Sequence, residues 1–523
     1  MPALNRRRFL GGIGVLPTLK AIAADAVDPP GREVVPGIPT RRGIPGEPYE
    51  LAGKRIVFSN WYYVQPGDLD WVTAEGKSVY VDGNEAPESA LFKGLRAPQG
   101  IRLRAHRPEL RGPLGIPHRT ILQEGSRYRA WTDNEYLEST DGFHWKRVAT
   151  LQLDPAYSDG VWHVFIDPAA PPAERLKTTW NGLLDRQGFE AYRQRRPDGW
   201  EPRALLHYIE KGVASCIRGG YSADGIHWKA YPDPLVVEYA DTFNTAYFDP
   251  VLGRYVLYTR HWSVGPRTSQ LPADIRHSWT GVGRRAIGRS ESADFTRFPP
   301  SDLLIEPTPD LLPSEVLYTN CHTTLPGAPD HHLMFPAIWN ASRTDTTRIA
   351  LLSSHDGRLW HWVPGGDILE TAAFGQWNGG CIWALPNLME LADQSWVLPY
   401  LAHNLPHKYP RGQRIGQTGY ALWPKGRIVS LDADDTGEFF VIPIIPPGRK
   451  LKVNAVTQRT GRVWIGVAGV AGRALEQCDP IFGDQCWSPV TWQGEADLGI
   501  REGAALTLRI RMQQAQLFGL EFA

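Results

Sequence analysis

The chain has 523 residues, 42% hydrophobic and 21% charged, an ordinary globular composition with room for one large domain and a smaller one. Its 56 Lys and Arg balance 56 Asp and Glu and the pI is about 7.3, so no net field recruits DNA, RNA or an anionic bilayer. The excess is aromatic: 20 Trp and 19 Tyr stand beside 52 Gly and 44 Pro, the make-up of many short strands and turns. Such rings fill the core of a large β-fold or offer flat apolar faces to sugars.

Residues 1–26 begin MPALNRRRFLGGIGVLP, with Arg6 and Arg7 ahead of a short, weakly apolar stretch that ends in small residues. This resembles a twin-arginine export signal, which implies the twin-arginine machinery as a partner and a periplasmic or secreted bacterial protein, exported folded. No later segment offers the roughly 18 to 20 apolar residues of a membrane helix. Residues 27–48 are rich in Pro and Gly and read as an extended linker.

From Tyr49 onward a seven-residue turn recurs: STDGFHW at Ser139, SADGIHW at Ser222 and SHDGRLW at Ser354, with a degenerate SADFTRF that places Asp294 between them. In such a turn the Asp carboxylate accepts backbone N–H groups, Gly takes a conformation other residues resist, and Trp plugs the space between sheets. Its Asp residues are therefore structural. Five pairs of strand-like runs accompany the turns: HRTILQEG with RYRAWTDN, WHVFIDP with RLKTTWNG, TFNTAYFDP with RYVLYTRHW, YTNCHTTLPG with HHLMFPAIW, and GCIWALPNLMEL with SWVLPYLAHN. Five small antiparallel sheets predict an all-β fold, a five-bladed β-propeller over 49–426, with two stacked sandwiches as the alternative. Alternating runs such as KLKVNAVTQ and GRVWIGVAG, without the turn, predict a β-sandwich over 427–523. Five cysteines lack C-x-x-C spacing, which disfavours structural zinc; Cys478 and Cys486 are close enough in sequence for a disulfide. Cys216, Cys321 and Cys381 lie in strand-like runs and are expected to be buried.

An exported five-bladed propeller with S-x-D-G-x-x-W turns and a C-terminal sandwich resembles the glycoside hydrolases of the arabinanase/β-xylosidase and invertase/levanase groups. The resemblance is architectural, spans most of Tyr49 to Ala523, and implies three acidic residues on successive inner strands acting as nucleophile or base, acid, and orienting group.

Inner strands of a propeller deliver their first residues to the mouth of the axial funnel, and the five openings here are crowded with polar and aromatic groups. They hold His118, Arg119, Asp159, Trp162, His163, Asp241, Asn244, Glu315, Asn320, His322, Trp377 and Asn378. Of the acids, Asp241 is the expected nucleophile or base, Glu315 the acid, because an apolar run follows it, and Asp159 the orienting group. The first opening departs from the family pattern, with His118 and Arg119 where an acid is expected. Arg260 is placed to clamp a carboxylate, and Asp133 and Glu135 form a second reservoir of acids. His118, His163, His261, His322 and His403 recur at the strand ends, and with Arg119 and Arg260 they support an alternative: β-elimination from a uronate-containing glycan. Non-catalytic glycan binding is the third reading. DHHL at Asp330 to Leu333 looks metal-like but falls in a predicted hairpin turn, where solvated histidine is expected. No metal or cofactor is expected, and no phosphate loop, Rossmann pattern or serine elbow is present.

Overall fold

The computed structural model describes residues 48–66, 71–72, 78–79, 98–157, 160–205, 211–263 and 283–523. Arg6, Arg7, the expected linker except its last residue, and Asp159 lie outside the described residues.

Each of the five paired runs opens an antiparallel sheet. Sheet one is Thr120–Glu124, Arg127–Trp131, Glu135–Ser139 and Lys146–Thr150. Sheet two is His163–Ile166, Leu176–Asp185, Val213–Ser222 and His227–Ala230, with Gln152–Leu153 added in parallel at its edge. Sheet three is Thr245–Asp249, Arg254–Ser263, Arg284–Ser292 and Asp302–Ile305. The fourth bends into two halves, one opened by Glu315–Leu317 and the other by His322–Leu325. Sheet five runs Cys381–Ala384, Trp396–His403 and Gly416–Trp423, and its fourth strand, Glu109–Arg111, comes from ahead of sheet one. A strand from one end of the chain thus completes the last sheet, leaving its edge paired.

The sheets pack in cyclic order. Trp131 of sheet one shares a core with Val164 and Trp228 of sheet two; Phe165 of sheet two packs with Leu257 of sheet three. Val256 and Tyr258 meet Met334 and Leu352, Leu333 meets Leu398, and Val397 and Tyr420 of sheet five return to Ile121 and Tyr128 of sheet one.

The repeated turn is a staple between sheets. In all three copies the Asp carboxylate accepts two backbone N–H groups, as Asp224 does from Ile226 and His227 at 2.8 and 2.9 Å, while Ser222 Oγ accepts from Gly225 N–H at 2.8 Å. The glycines take left-handed φ values of 80°, 86° and 67° at Gly142, Gly225 and Gly357. Each glycine carbonyl then receives an aromatic donor from the neighbouring sheet: Tyr420 to Gly142 at 2.5 Å, Trp131 to Gly225 at 2.8 Å, and Tyr258 to Gly357 at 2.7 Å. Trp228 is buried between sheets one and two, and Trp145 and Trp360 are half-buried against the corresponding cores.

A sixth sheet is built largely from Val429–Phe440, Leu451–Val467, Asp484–Pro489 and Leu508–Phe522, and it takes Arg102–Ala105 and Arg55–Val57 from the N-terminal side. Sequence reading places those two segments with the propeller; pairing places them here. A ten-residue helix, Arg186–Arg195, interrupts sheet two, capped by Asp185 accepting from Gly188 N–H at 2.7 Å and seated through Phe189 and Tyr192. Among the described residues no helix is long and apolar enough to cross a membrane.

One expectation is corrected and one open question is answered. Asp330, His331 and His332 are not solvated in a turn but buried in the strand Ala328–Met334. Asp330 accepts from Tyr49 Oη at 2.5 Å, His331 stacks on Tyr63, and His332 Nδ1 lies 2.9 Å from His322 Nε2, because the hairpin closes before Asp330, at Pro326 and Gly327. All five cysteines are free thiols, so Cys478 and Cys486 are not bonded.

Candidate active site

The first residues of the inner strands meet around a cavity of about 250 Å³. Antiparallel pairing brings the ends of the second strands to the same mouth, so both kinds of segment line it. Sheet one gives Arg119; sheet two gives Trp162, His163 and Trp180; the segment entering sheet three gives Asp241, Phe243 and Asn244. Tyr318 comes from sheet four, and Trp383, His403, His407 and Arg414 from sheet five and the loop between its second and third strands. A second cavity of about 590 Å³ opens at the other ends of the same strands, and His163 lines both.

Asp241 is the only carboxylate among the described residues lining the smaller cavity. Its side chain keeps 43% of its surface open to the cavity while accepting a hydrogen bond from Arg260, which is itself fully buried. Burial pushes the Asp241 carboxyl up, but the charges of Arg260 and Arg285 outweigh it and hold the group below the usual carboxylate range. Arg260 also donates to the Tyr318 carbonyl at 2.8 Å and lies over the Tyr318 ring at 4.1 Å. Arg285, buried and crowded by Arg260, drops to about 9. Asp241 is thus held ionised, and an ionised carboxylate can take a proton or attack an electrophile but has no proton to donate.

Around it the walls are aromatic and polar. Arg119 lies over Trp162, its Cζ 3.7 Å from the ring centroid, and pairs with Asp133 at the rim. Trp162 meets Phe243 edge-on, and Tyr318, Trp339 and Trp383 surround His407 at ring separations of 4.8 to 5.1 Å. Asn244 donates to Asn181 Oδ1 at 2.7 Å, tying sheet two to sheet three. His163 and His403 are pushed down to about 4, His163 by burial and His403 by burial together with Arg414 and Arg119, so both are neutral near pH 7. Neutral imidazoles accept protons rather than supply them.

Several expected site residues lie elsewhere. Glu315 does not line the cavity: it accepts from Arg348 and from Leu312 N–H, which hold its carboxyl low against the upward push of burial. The strand of sheet four starts three residues before Tyr318, so Tyr318 reaches the mouth and Glu315 stays outboard. His118 is fully buried against Trp145, without hydrogen-bond partners for its ring nitrogens among the described residues. Asn320 is buried and saturated, accepting from Thr245 Oγ1 at 2.6 Å and donating to the Phe243 and Tyr258 carbonyls. His322 belongs to the second cavity beside His332, and His261 binds Arg203. Trp377 stacks on Tyr400, and neither it nor Asn378 lines the cavity. Glu135 pairs with Arg147. Sequence reading missed Trp180, Tyr318, Trp383, His407 and Arg414; His407 and Arg414 lie in the loop between the second and third strands of sheet five, whereas Arg260 lies within the second strand of sheet three. Among the described residues no cluster of three His, Cys, Asp or Glu side chains is placed to hold a metal.

No family model and no curated protein matches the chain. Solved structures similar to it include a xylan beta-1,4-xylosidase from Bacillus halodurans C-125 (11% identity, 79% of this chain and 98% of that one, TM-score 0.35). Others are a Bombyx mori GH32 beta-fructofuranosidase (8% identity, 80% and 94%, TM-score 0.34) and an N-acetylgalactosamine deacetylase from F. plautii in complex with blood group B trisaccharide (12% identity, 69% and 95%, TM-score 0.34). Likenesses this distant transfer neither activity nor site residues.

Proposed function

We propose that the protein is an exported glycoside hydrolase whose five cyclically packed sheets are the blades of a propeller, backed by a C-terminal β-sandwich, and whose substrate enters the 250 Å³ cavity. One observation carries the reading: an ionised carboxylate, Asp241, faces a cavity walled by Trp and Tyr rings with polar groups between them. Aromatic planes receive the apolar face of a sugar, and the carboxylate attacks the anomeric carbon or activates water. Glycosidic cleavage needs a second carboxyl group to protonate the leaving oxygen. Asp159, three residues before Trp162 in the chain, takes that place in the proposal, since Glu315 is held by Arg348. Arg6 and Arg7 direct export, which puts the enzyme in the periplasm or outside the cell.

A second reading draws on His403, neutral beside Arg414 and Arg119: β-elimination from a uronate, with the imidazole as base. A polysaccharide panel with wild type, Asp241→Asn and Asp159→Asn, following reducing ends and ultraviolet absorbance together, separates the readings. Reducing ends without absorbance, lost in both variants, are the expected result. Absorbance of an unsaturated uronate supports elimination instead, and binding without turnover by folded wild type overturns the enzyme reading.

A further inference from the structure

The cavity holds more positive charge than its carboxylate requires. Arg119 and Arg414 line it together with Asp241, its only carboxylate among the described residues, and Arg260 and Arg285 stand behind that carboxylate. Two of these cations have partners that explain them: Arg260 is committed to Asp241 and the Tyr318 carbonyl, and Arg119 to Asp133. Arg414 is different. It is half-buried in the loop after the second strand of sheet five, and its Nε is buried without a hydrogen-bond partner among the described residues. Its close neighbours, the Cys381 thiol, which shares a hydrogen bond with the guanidinium, and the His403 imidazole, are neutral, the thiol because burial raises it to about 12 and the imidazole because burial and the two arginines lower it. A buried guanidinium N–H left unmet is costly unless an acceptor completes it, and an oxyanion does so while matching the charge.

Placement adds a direction. Asp241 enters sheet three, whereas Arg414 lies in the loop between the second and third strands of sheet five and Arg119 enters sheet one, and neither of those sheets neighbours sheet three in the cyclic order. His403, which feels both Arg414 and Arg119, lies on the positive side.

We infer that the cavity takes an anionic sugar, whose carboxylate or sulfate oxygens are received by Arg414 with Arg119 at the rim, leaving its glycosidic bond toward Asp241. This rests on the proposed glycan site and deepens it by naming the substrate class. A planar guanidinium suits an oxyanion bidentately, and Arg119, already lying over Trp162, loses little freedom in joining it.

Titration calorimetry with the full chain tests it, using D-glucuronate and D-galacturonate, glucose 6-sulfate, and the neutral D-glucose and D-galactose. The anionic sugars are expected to bind roughly tenfold to a hundredfold tighter than their neutral counterparts, with the advantage shrinking in salt. Carboxylate and sulfate arms show which oxyanion is preferred, and a preference for either supports the proposal. Arg414→Gln is expected to abolish the preference while Arg414→Lys retains part of it, with thermal melting as the check on folding. Equal binding of neutral and anionic sugars, a preference that survives Arg414→Gln in a folded protein, or no binding of any anionic sugar overturns the proposal. Hydrolysis of a neutral glycan that depends on Asp241 overturns it too, yet leaves the glycosidase reading standing; an anionic preference without any turnover does the reverse.

Discussion

His118→Phe is expected to stabilise the protein in acid, by an amount that follows from burial alone. His118 is fully buried between sheets five and one, packed on Trp145, and neither ring nitrogen has a hydrogen-bond partner among the described residues. Burial lowers its folded value from 6.5 to about 3. The group is depressed in the folded state, so its neutral form contributes stability above 6.5, and that stability is lost as pH falls toward about 3. Each pH unit below 6.5 withdraws about 1.4 kcal/mol, which amounts to about 2 kcal/mol at pH 5. Phe keeps the ring on Trp145 and cannot take a proton. Urea unfolding of wild type and His118→Phe between pH 7 and pH 4 measures the difference, which should widen steadily below pH 6.5. Other buried histidines lower both curves alike and cancel. Parallel curves would refute the reasoning, since they would mean that the imidazole charges without leaving its site.

Gly225→Ala should cost about 1–3 kcal/mol by thermal or urea unfolding, because φ is 86° and a Cβ would lie 2.8 Å from Arg129 and 2.9 Å from Trp131. Gly125→Ala, at φ 61° with open space around it, should cost about 1 kcal/mol. Arg260→Gln removes the nearest charge that holds Asp241 low, so the acid limb of kcat/KM should move to higher pH, with Arg285 retaining part of the effect; an unmoved limb would deny Asp241 its role. Thiol labelling of the native protein should modify Cys486, which is half-exposed, and spare the four buried cysteines until the chain unfolds.

What the sequence disclosed tracks how local each feature is. The five paired runs and the S-x-D-G-x-x-W turn are legible because a hairpin and an Asx turn are specified within a dozen residues, and all five pairs form as read. Asp241 was legible for the same reason, lying just before a recognisable strand. Register was not. Whether Glu315 or Tyr318 meets the cavity depends on where the strand of sheet four bends, and that bend, with Cys321 at φ 46°, leaves no periodic trace. Ring closure by Glu109–Arg111 pairs residues about 310 apart, beyond any local pattern. Arg414 and His407 sit in a loop whose sequence resembles ordinary polar loop, and only pairing shows that second-strand ends share the mouth.

The arrangement of protons at the site constrains the chemistry more than the fold does. Asp241 is held ionised, and His163 and His403 are held neutral with values near 4, so no described lining carboxyl or imidazole among these three has a proton ready for a leaving oxygen near pH 7. A glycosidase on this frame therefore needs its acid from a group other than these three, and Asp159 is the carboxyl the sequence offers beside Trp162. The requirement makes Asp159→Asn decisive when paired with leaving groups of different basicity. If Asp159 is the acid, the variant should lose turnover of natural glycosides by two to four orders of magnitude, roughly the worth of general acid catalysis, yet keep most of its rate on an aryl glycoside whose phenolate leaves unaided. Equal losses on both substrates would place Asp159 in binding instead. Undiminished rates on both would remove the second carboxyl from the mechanism and turn attention to the neutral imidazole of His403, which can take a proton from a uronate but has none to give.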